Sequence, residues 1–455
     1  MSDAVADERE PKVDRKGIWG WMFFDWAAQP FHTLILTFIF APYFASSVAE
    51  SAAIGQAQWG YAAGAAGLVI AFLSPVLGAI ADATGPRKPW IFGFSILAIF
   101  GSFALWWALP NSLDGGSVLF VLVAFAIAMF GFEFAAVFNN AMMPDLVPRA
   151  KLGRLSGNAW ALGYGAGLLT LIIVLLTMAT NKEGLTLLGS EPLFGIDAEA
   201  KEGERATGPL TAIWFVIFVL PLFFFTPDTP KRERVAGAVQ KGLSQLWNTI
   251  RNLPNNKSMF AYLGSSMIYR DALNGLYTFG GIYAVGVLEW SIVQVGIFGI
   301  LANITGIGGA LIGGRLDDKR GPKFVVTLSV VLLAIASMIV ITLDPGHVLL
   351  FPVEANSSLP DIVFYVCGGL IGACGGALQA ASRTLMADQA EPGRMTEAFG
   401  LYALSGRATA FLAPFLIAFF TDFTASQRIG VTPVIALFIL SLVLLPMVKQ
   451  NRVNA

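Results

Sequence analysis

Residues 22–33 read MFFDWAAQPFHT, and residues 267–278 read MIYRDALNGLYT. Laid one on the other, Asp25 meets Arg270, Gln29 meets Asn274, Pro30 meets Gly275, His32 meets Tyr277 and Thr33 meets Thr278. The polar positions recur at i, i+4 and i+7, which is one face of a helix. Both stretches sit in long apolar runs, where a charge is costly and faces a bundle interior or a wet cavity. A polar face present twice, with charges of opposite sign at one slot, predicts a two-halved transporter with its site between the halves.

The rest of the chain has the same character. It is 56% hydrophobic and 13% charged, where a soluble domain carries about twice that charge. Apolar runs of about 20 residues recur along its length. They predict helices over 18–44, 59–81, 90–109, 117–143, 155–179, 209–226, 258–287, 292–314, 323–343, 361–387, 396–421 and 429–448. The fold class is all-α integral membrane, with twelve transmembrane helices in two pseudo-symmetric six-helix bundles. Residues 1–16 read as a disordered cytoplasmic tail and 17–226 as the N-terminal bundle. Residues 227–257 read as a cytoplasmic linker with an amphipathic helix over 238–253. The C-terminal bundle spans 258–448, and 449–455 is a second cytoplasmic tail. The stretch 181–208 is the main external loop.

Basic residues set the orientation. Of 29 Lys and Arg, Lys182, Lys201, Arg205 and Arg428 lie on one side, and Arg270 and Arg407 lie inside helices. All others fall on the side of the termini, so both termini are expected in the cytoplasm. The 48 glycines form stripes such as Gly368, Gly372 and Gly376, suited to close helix crossings. Cys367 and Cys374 sit two turns apart in one expected helix, too far for a disulfide, and read as packing residues. No cleavable signal peptide is read at the N-terminus.

Further repeats support the halves. The loop after the second helix carries Gly78, Asp82, Gly85, Pro86 and Arg87, and the loop after the eighth carries Gly314, Asp318, Gly321, Pro322 and Lys323. Asp145 matches Asp388, and Asn140 matches Arg383. The Gly-x3-Asp-x2-Gly-x-[Arg/Lys] loops resemble the signature loop of the major facilitator superfamily. That resemblance implies that Asp82 helps hold a cytoplasmic gate shut. Within it, Asp25-Trp26-Ala27, Gln29-Pro30 and Ala41-Pro42-Tyr43-Phe44 are similar to the first helix of the autophagy-related vacuole amino-acid effluxers and their bacterial relatives. This chain departs from them at Ala28-Gln29, where that family commonly has Asn-Ser or a similar pair, and at His32.

The superfamily resemblance implies that helices 1, 4, 7 and 10 line a central cavity, and the intramembrane polar residues fall largely on those helices. The expected substrate contacts are Asp25, Gln29, His32, Arg270, Asn274, Tyr277, Gln379 and Arg407. Two guanidiniums near the bilayer midplane suit a carboxylate or phosphate through bidentate contacts. Asp25 or Asp271 would receive an amino group or a proton. The alternative is that Asp25, Glu133 and Asp271 neutralise Arg270, Arg383 and Arg407 and hold helices in register. Glu133, set between Phe132 and Phe134, is the first candidate for carrying a proton, with Asp25 and His32 beside it. Gating is assigned to Gly78, Asp82, Gly85, Arg87, Gly314, Asp318, Gly321, Asp145, Asp388 and Arg383, and bending to Pro30 and Gly275.

The expected function is a secondary active transporter working by a rocking switch, moving amino acids or similar zwitterionic or anionic solutes, with protons as a candidate coupling ion. A carrier of another organic anion, a sugar or a lysolipid is the alternative within that class, and a non-transporting membrane sensor the alternative outside it. An enzyme is not expected: no phosphate-binding Gly-rich loop is followed by Lys-Ser/Thr, and no cofactor or metal spacing is present. The expected partners are a small-molecule substrate and the lipid bilayer, without nucleic acid, for a monomer in a bacterial inner membrane.

Overall fold

The computed structural model describes residues 13–110, 118–180, 184–186, 188–230, 238–290, 292–349, 351–354, 357–391, 393–410, 412–424 and 426–450. Residues 1–12 and 451–455 of the expected tails, 231–237 of the linker and Lys182 of the external loop lie outside them.

The expected bundles form. Helix 1 runs over Arg15–Val48, helix 2 over Ala52–Thr84, helix 3 over Lys88–Trp107 and helix 4 over Val118–Leu146. Helix 5 is Leu152–Thr177 and helix 6 Thr207–Phe225. The linker helix, Ala238–Asn252, leads into helix 7, Lys257–Val287. Helices 8, 9 and 10 are Ile292–Arg320, Pro322–Val340 and Leu359–Gln389. Helix 11 comes in two pieces, Met395–Ala408 and Leu412–Thr424, and helix 12 is Thr432–Leu444. Among the described residues, 11 helices are long and apolar enough to cross a membrane. Helix 7 has the length, but Arg270, Asp271 and Asn274 dilute its apolar character. Phe72 and Phe100 are each 69% exposed, which costs nothing where the surrounding solvent is lipid.

The structure corrects three expectations of the sequence. Arg15 and Lys16 are not tail: they open helix 1, whose Gly17 packs beside the Phe225 carbonyl at the end of helix 6. Helix 11 is not continuous, breaking after Ala408. Between helices 9 and 10 the chain makes a small hairpin, His347–Val348 against Phe351–Pro352, where only a loop was expected.

Helix 1 changes pitch at Pro30, which has no N–H to give. Beyond it the turns widen, with Ile39 N donating to Leu34 O at 3.1 Å and Ala49 N to Phe44 O at 3.0 Å, each reaching back five residues. Such wide turns cluster at functional segments. Helix 7 runs unbroken through Gly275, which packs on Ala413, Ile417 and Val434.

The two halves touch at one end and part at the other. On helix 2, Gly60, Gly67 and Gly78 share one face. A methyl on Gly78 would lie 2.5 Å from the Thr396 carbonyl of helix 11, one on Gly67 would lie 3.7 Å from Arg407, and one on Gly60 would meet nothing within 4 Å among the described residues. Gly153 of helix 5 and Gly314 of helix 8 repeat the close crossing at the same end. That shut end is the end that carries Arg15 and Val448.

Candidate functional site

The seam between the halves is crossed by ion pairs. Arg383 of helix 10 places Nη1 2.9 Å from Asp25 Oδ2 of helix 1 and 3.1 Å from Asn140 Oδ1 of helix 4. Its Nε donates to Ser156 Oγ at 2.9 Å and its Nη2 to the Ser156 carbonyl at 3.0 Å. The guanidinium lies over the Trp21 and Trp160 rings. Arg383 is 4% exposed, so every one of its bonds to the N-terminal half is made away from water, where charge-assisted bonds are strong. Glu133 of helix 4 and Arg407 of helix 11 form the second pair across the seam.

These contacts settle how the predicted charges are matched. Asp25 pairs with Arg383, not with its repeat partner Arg270. Among the described residues Arg270 has no carboxylate within ion-pair distance. Its Nη1 donates to the Tyr402 carbonyl at 3.0 Å, its guanidinium sits 4.2 Å from the Tyr402 ring centroid, and Gly406 leaves it room. Arg270 nevertheless belongs to the same charged neighbourhood: Glu133 interacts electrostatically with Arg407, His32 and Arg270, and His32 with Glu133, Arg407 and Asp25. His32 is half-buried and meets Phe31 edge-on.

The remaining predicted contacts divide. Gln29 packs on helix 5, its Oε1 3.4 Å from where a Gly163 Cβ would stand. Asn274 is exposed, one turn beyond Arg270. Tyr277 meets the hydroxyl of Tyr164, and Gln379 Nε2 donates to that hydroxyl at 3.1 Å. Asp271 turns away from this group and caps the restart of helix 11, accepting from Ala413 N at 2.8 Å.

Asp82, Arg87, Asp145 and Asp318, expected from the sequence to act in gating, lie at the shut end. Both Asp82 oxygens accept from the first turn of helix 11, from Thr396 N at 3.2 Å and Glu397 N at 2.9 Å. A carboxylate on the positive end of a helix is favourable by dipole and by capping. Arg87 joins Asp82 at 3.6 Å, Asp145 at 2.6 Å and Thr396 Oγ1 at 3.0 Å. The second loop repeats the device in reverse: Asp318 Oδ1 accepts from Arg154 N at 3.0 Å in the first turn of helix 5. Gly85 at φ 101° and Gly321 at φ 85° turn the chain where side chains are strained. Asp388, 2% exposed, lies buried near the end of helix 10.

A family model described as vacuole effluxer Atg22 like matches residues 56–455. The chain belongs to that family. An uncharacterised MFS-type transporter of Bacillus subtilis, YxiO, is 23% identical over 436 residues, covering 95% of this chain and 94% of that protein. Autophagy-related protein 22-2 of Emericella nidulans is 26% identical over 325 residues, and the match spans 66% of this chain but only 51% of the fungal protein. Among solved structures, the major facilitator transporter FucP in its outward conformation aligns with a TM-score of 0.70 at 12% identity, over 96% of this chain and 99% of that one. This Atg22-like chain is therefore an integral membrane protein of the major facilitator fold and a secondary transporter.

Sequence reasoning missed Ser156, Trp21 and Trp160 around Arg383, Tyr402 beneath Arg270, and Arg154 under Asp318. The Arg270–Tyr402 contact joins positions 132 residues apart, and no local spacing announces it. Asn140 and Arg383 were matched as slots of the repeat, but their contact was not read from the sequence.

Proposed function

We propose that this carrier moves small carboxylate-bearing solutes, amino acids among them, by alternating access, with Arg270 as the carboxylate anchor. The observation that carries the reading is the charge match: Arg383 and Arg407 each face a carboxylate, whereas Arg270 faces only a carbonyl and a ring. An arginine at mid-membrane depth is unfavourable by several kcal/mol, and an anionic solute supplies the missing counter-charge. Asn274, Tyr277, Tyr164 and Gln379 offer neutral hydrogen-bonding groups beside it. Glu133 and His32, in electrostatic contact, are the candidates for a coupled proton.

In this reading the shut end faces the cytoplasm, in accord with the basic residues there, and the protein stands outward-facing, as a monomer in a bacterial inner membrane. Breaking the Asp25–Arg383 and Glu133–Arg407 pairs and the two helix caps would open the other side. An organic anion without an ammonium is the second reading, favoured by the engagement of both acids. Uptake and counterflow of a panel of amino acids and organic acids into proteoliposomes under an imposed pH gradient test it. The intact protein should move at least one carboxylate, and Arg270→Ala should raise its half-saturation concentration at least tenfold. Transport of neutral sugars alone, or full activity in Arg270→Ala, defeats it.

A further inference from the structure

We propose that Asp271 and the break in helix 11 form the binding site for a coupling monovalent cation, a proton or sodium. Asp271 is 2% exposed. One carboxylate oxygen, Oδ2, accepts from Ala413 N at 2.8 Å, and the other, Oδ1, is buried with no partner among the described residues. A buried carboxylate oxygen without a donor or counter-ion is a costly vacancy. It stands where helix 11 is interrupted, Met395–Ala408 ending and Leu412–Thr424 beginning. The last carbonyls of a helix lack partners within it, and interrupted membrane helices use such carbonyls to hold cations. Thr409, in the interruption, directs Oγ1 to the Met267 carbonyl at 3.4 Å, one turn before Asp271. The buried Asp271 carboxylate and the Thr409 hydroxyl thus both lie at the interruption and both offer oxygen, the donor type a hard small cation takes.

Helix 7 carries Lys257 and Arg270 in addition to Asp271, and the two pieces of helix 11 carry Glu397, Arg407 and Asp422. Arg270 is directed to Tyr402 and Arg407 to Glu133. Helix 12, whose Val434 packs on the same wall as Ala413, carries no ionisable side chain over Thr432–Leu444. Among the described residues no cationic side chain lies within ion-pair distance of Asp271, unlike Asp25 and Glu133. Because the interruption belongs to the helix that closes on helix 2, a cation there would tie the shape of helix 11 to the state of the gate.

This inference rests on the carrier reading, but its test needs no solute, so an error in the substrate leaves the result untouched. The full chain, purified into nanodiscs, is unfolded thermally with sodium chloride or choline chloride at pH 8.5, and in choline chloride from pH 8.5 to 5.5. The wild type should gain several degrees in Tm from sodium or from acidification, and Asp271→Asn, which keeps an oxygen for Ala413 N, should lose that gain. A sodium gain identifies sodium; a pH gain in its absence identifies the proton. Should Asp271→Asn fail to fold, Asp271→Glu should displace the midpoint of the gain at least threefold in sodium or proton concentration. A wild type indifferent to both cations, a gain that survives Asp271→Asn, or a midpoint unmoved in Asp271→Glu overturns the inference.

Discussion

Arg383 and Asp25 meet at 2.9 Å across the seam of the two halves, although 358 residues separate them in the chain. Arg383 is buried and Asp25 half-buried, so removing Asp25 or Arg383 strands the other charge largely away from water. Arg383→Ala should destabilise this closed arrangement by about 3–5 kcal/mol, whereas replacing both with neutral residues of similar size should cost much less. Thermal unfolding of the two single variants and of the double Asp25→Asn/Arg383→Gln variant checks this through a double-mutant cycle. Additive losses would show that the pair does not act as a unit.

Asp82 accepts from two N–H groups at the start of helix 11. Asp82→Ala leaves both buried donors unmet, a cost of about 1–3 kcal/mol. The gate should then favour opening by roughly tenfold or more. A cysteine placed by Ser74→Cys, in the seam beside Gly400, should react faster with a membrane-impermeant thiol reagent applied from the shut side. Equal labelling with and without Asp82 would remove the gate role.

Gly78→Val sets a branched side chain against the Thr396 carbonyl. The helices cannot approach, and transport should fall to background while the protein still folds. The same change at Gly93 of helix 3, which is exposed and meets nothing within 4 Å among the described residues, should leave transport within twofold of wild type. Paired uptake measurements decide the matter.

Asp344, between helices 9 and 10, gives an acid-side prediction. Burial opposes its charge, but bonds from the His347 ring and Gly346 N–H, with the charges of His347 and Arg428, outweigh it and hold the carboxyl below the usual range. A carboxyl lowered by folding stabilises the fold above its unfolded value of about 4, and that contribution disappears as pH falls through the lowered folded value. Wild-type Tm should therefore drop more than that of Asp344→Asn as pH falls below about 4. Parallel acid titrations of the two proteins would settle it.

The fold was legible because membrane helices announce themselves through length and hydropathy, and because duplication wrote each gate loop twice. The repeat even marked the slots of Asn140 and Arg383, which touch in the structure. It is silent on pairing: Asp25 and Arg270 occupy equivalent slots, and Asp25 pairs with Arg383. The break in helix 11 escaped notice because Thr409 and Ala410 are ordinary helix residues, and the cap that stabilises the break comes from Asp271 on another helix.

Main chain lies directly on main chain where Gly78 meets Thr396 and Gly153 meets Gly314. At those two points the seam has no side-chain slack, and water could pass there only by parting the helices. On the proposed reading, a carrier closed this way would keep the solutions on its two sides apart while it stands idle.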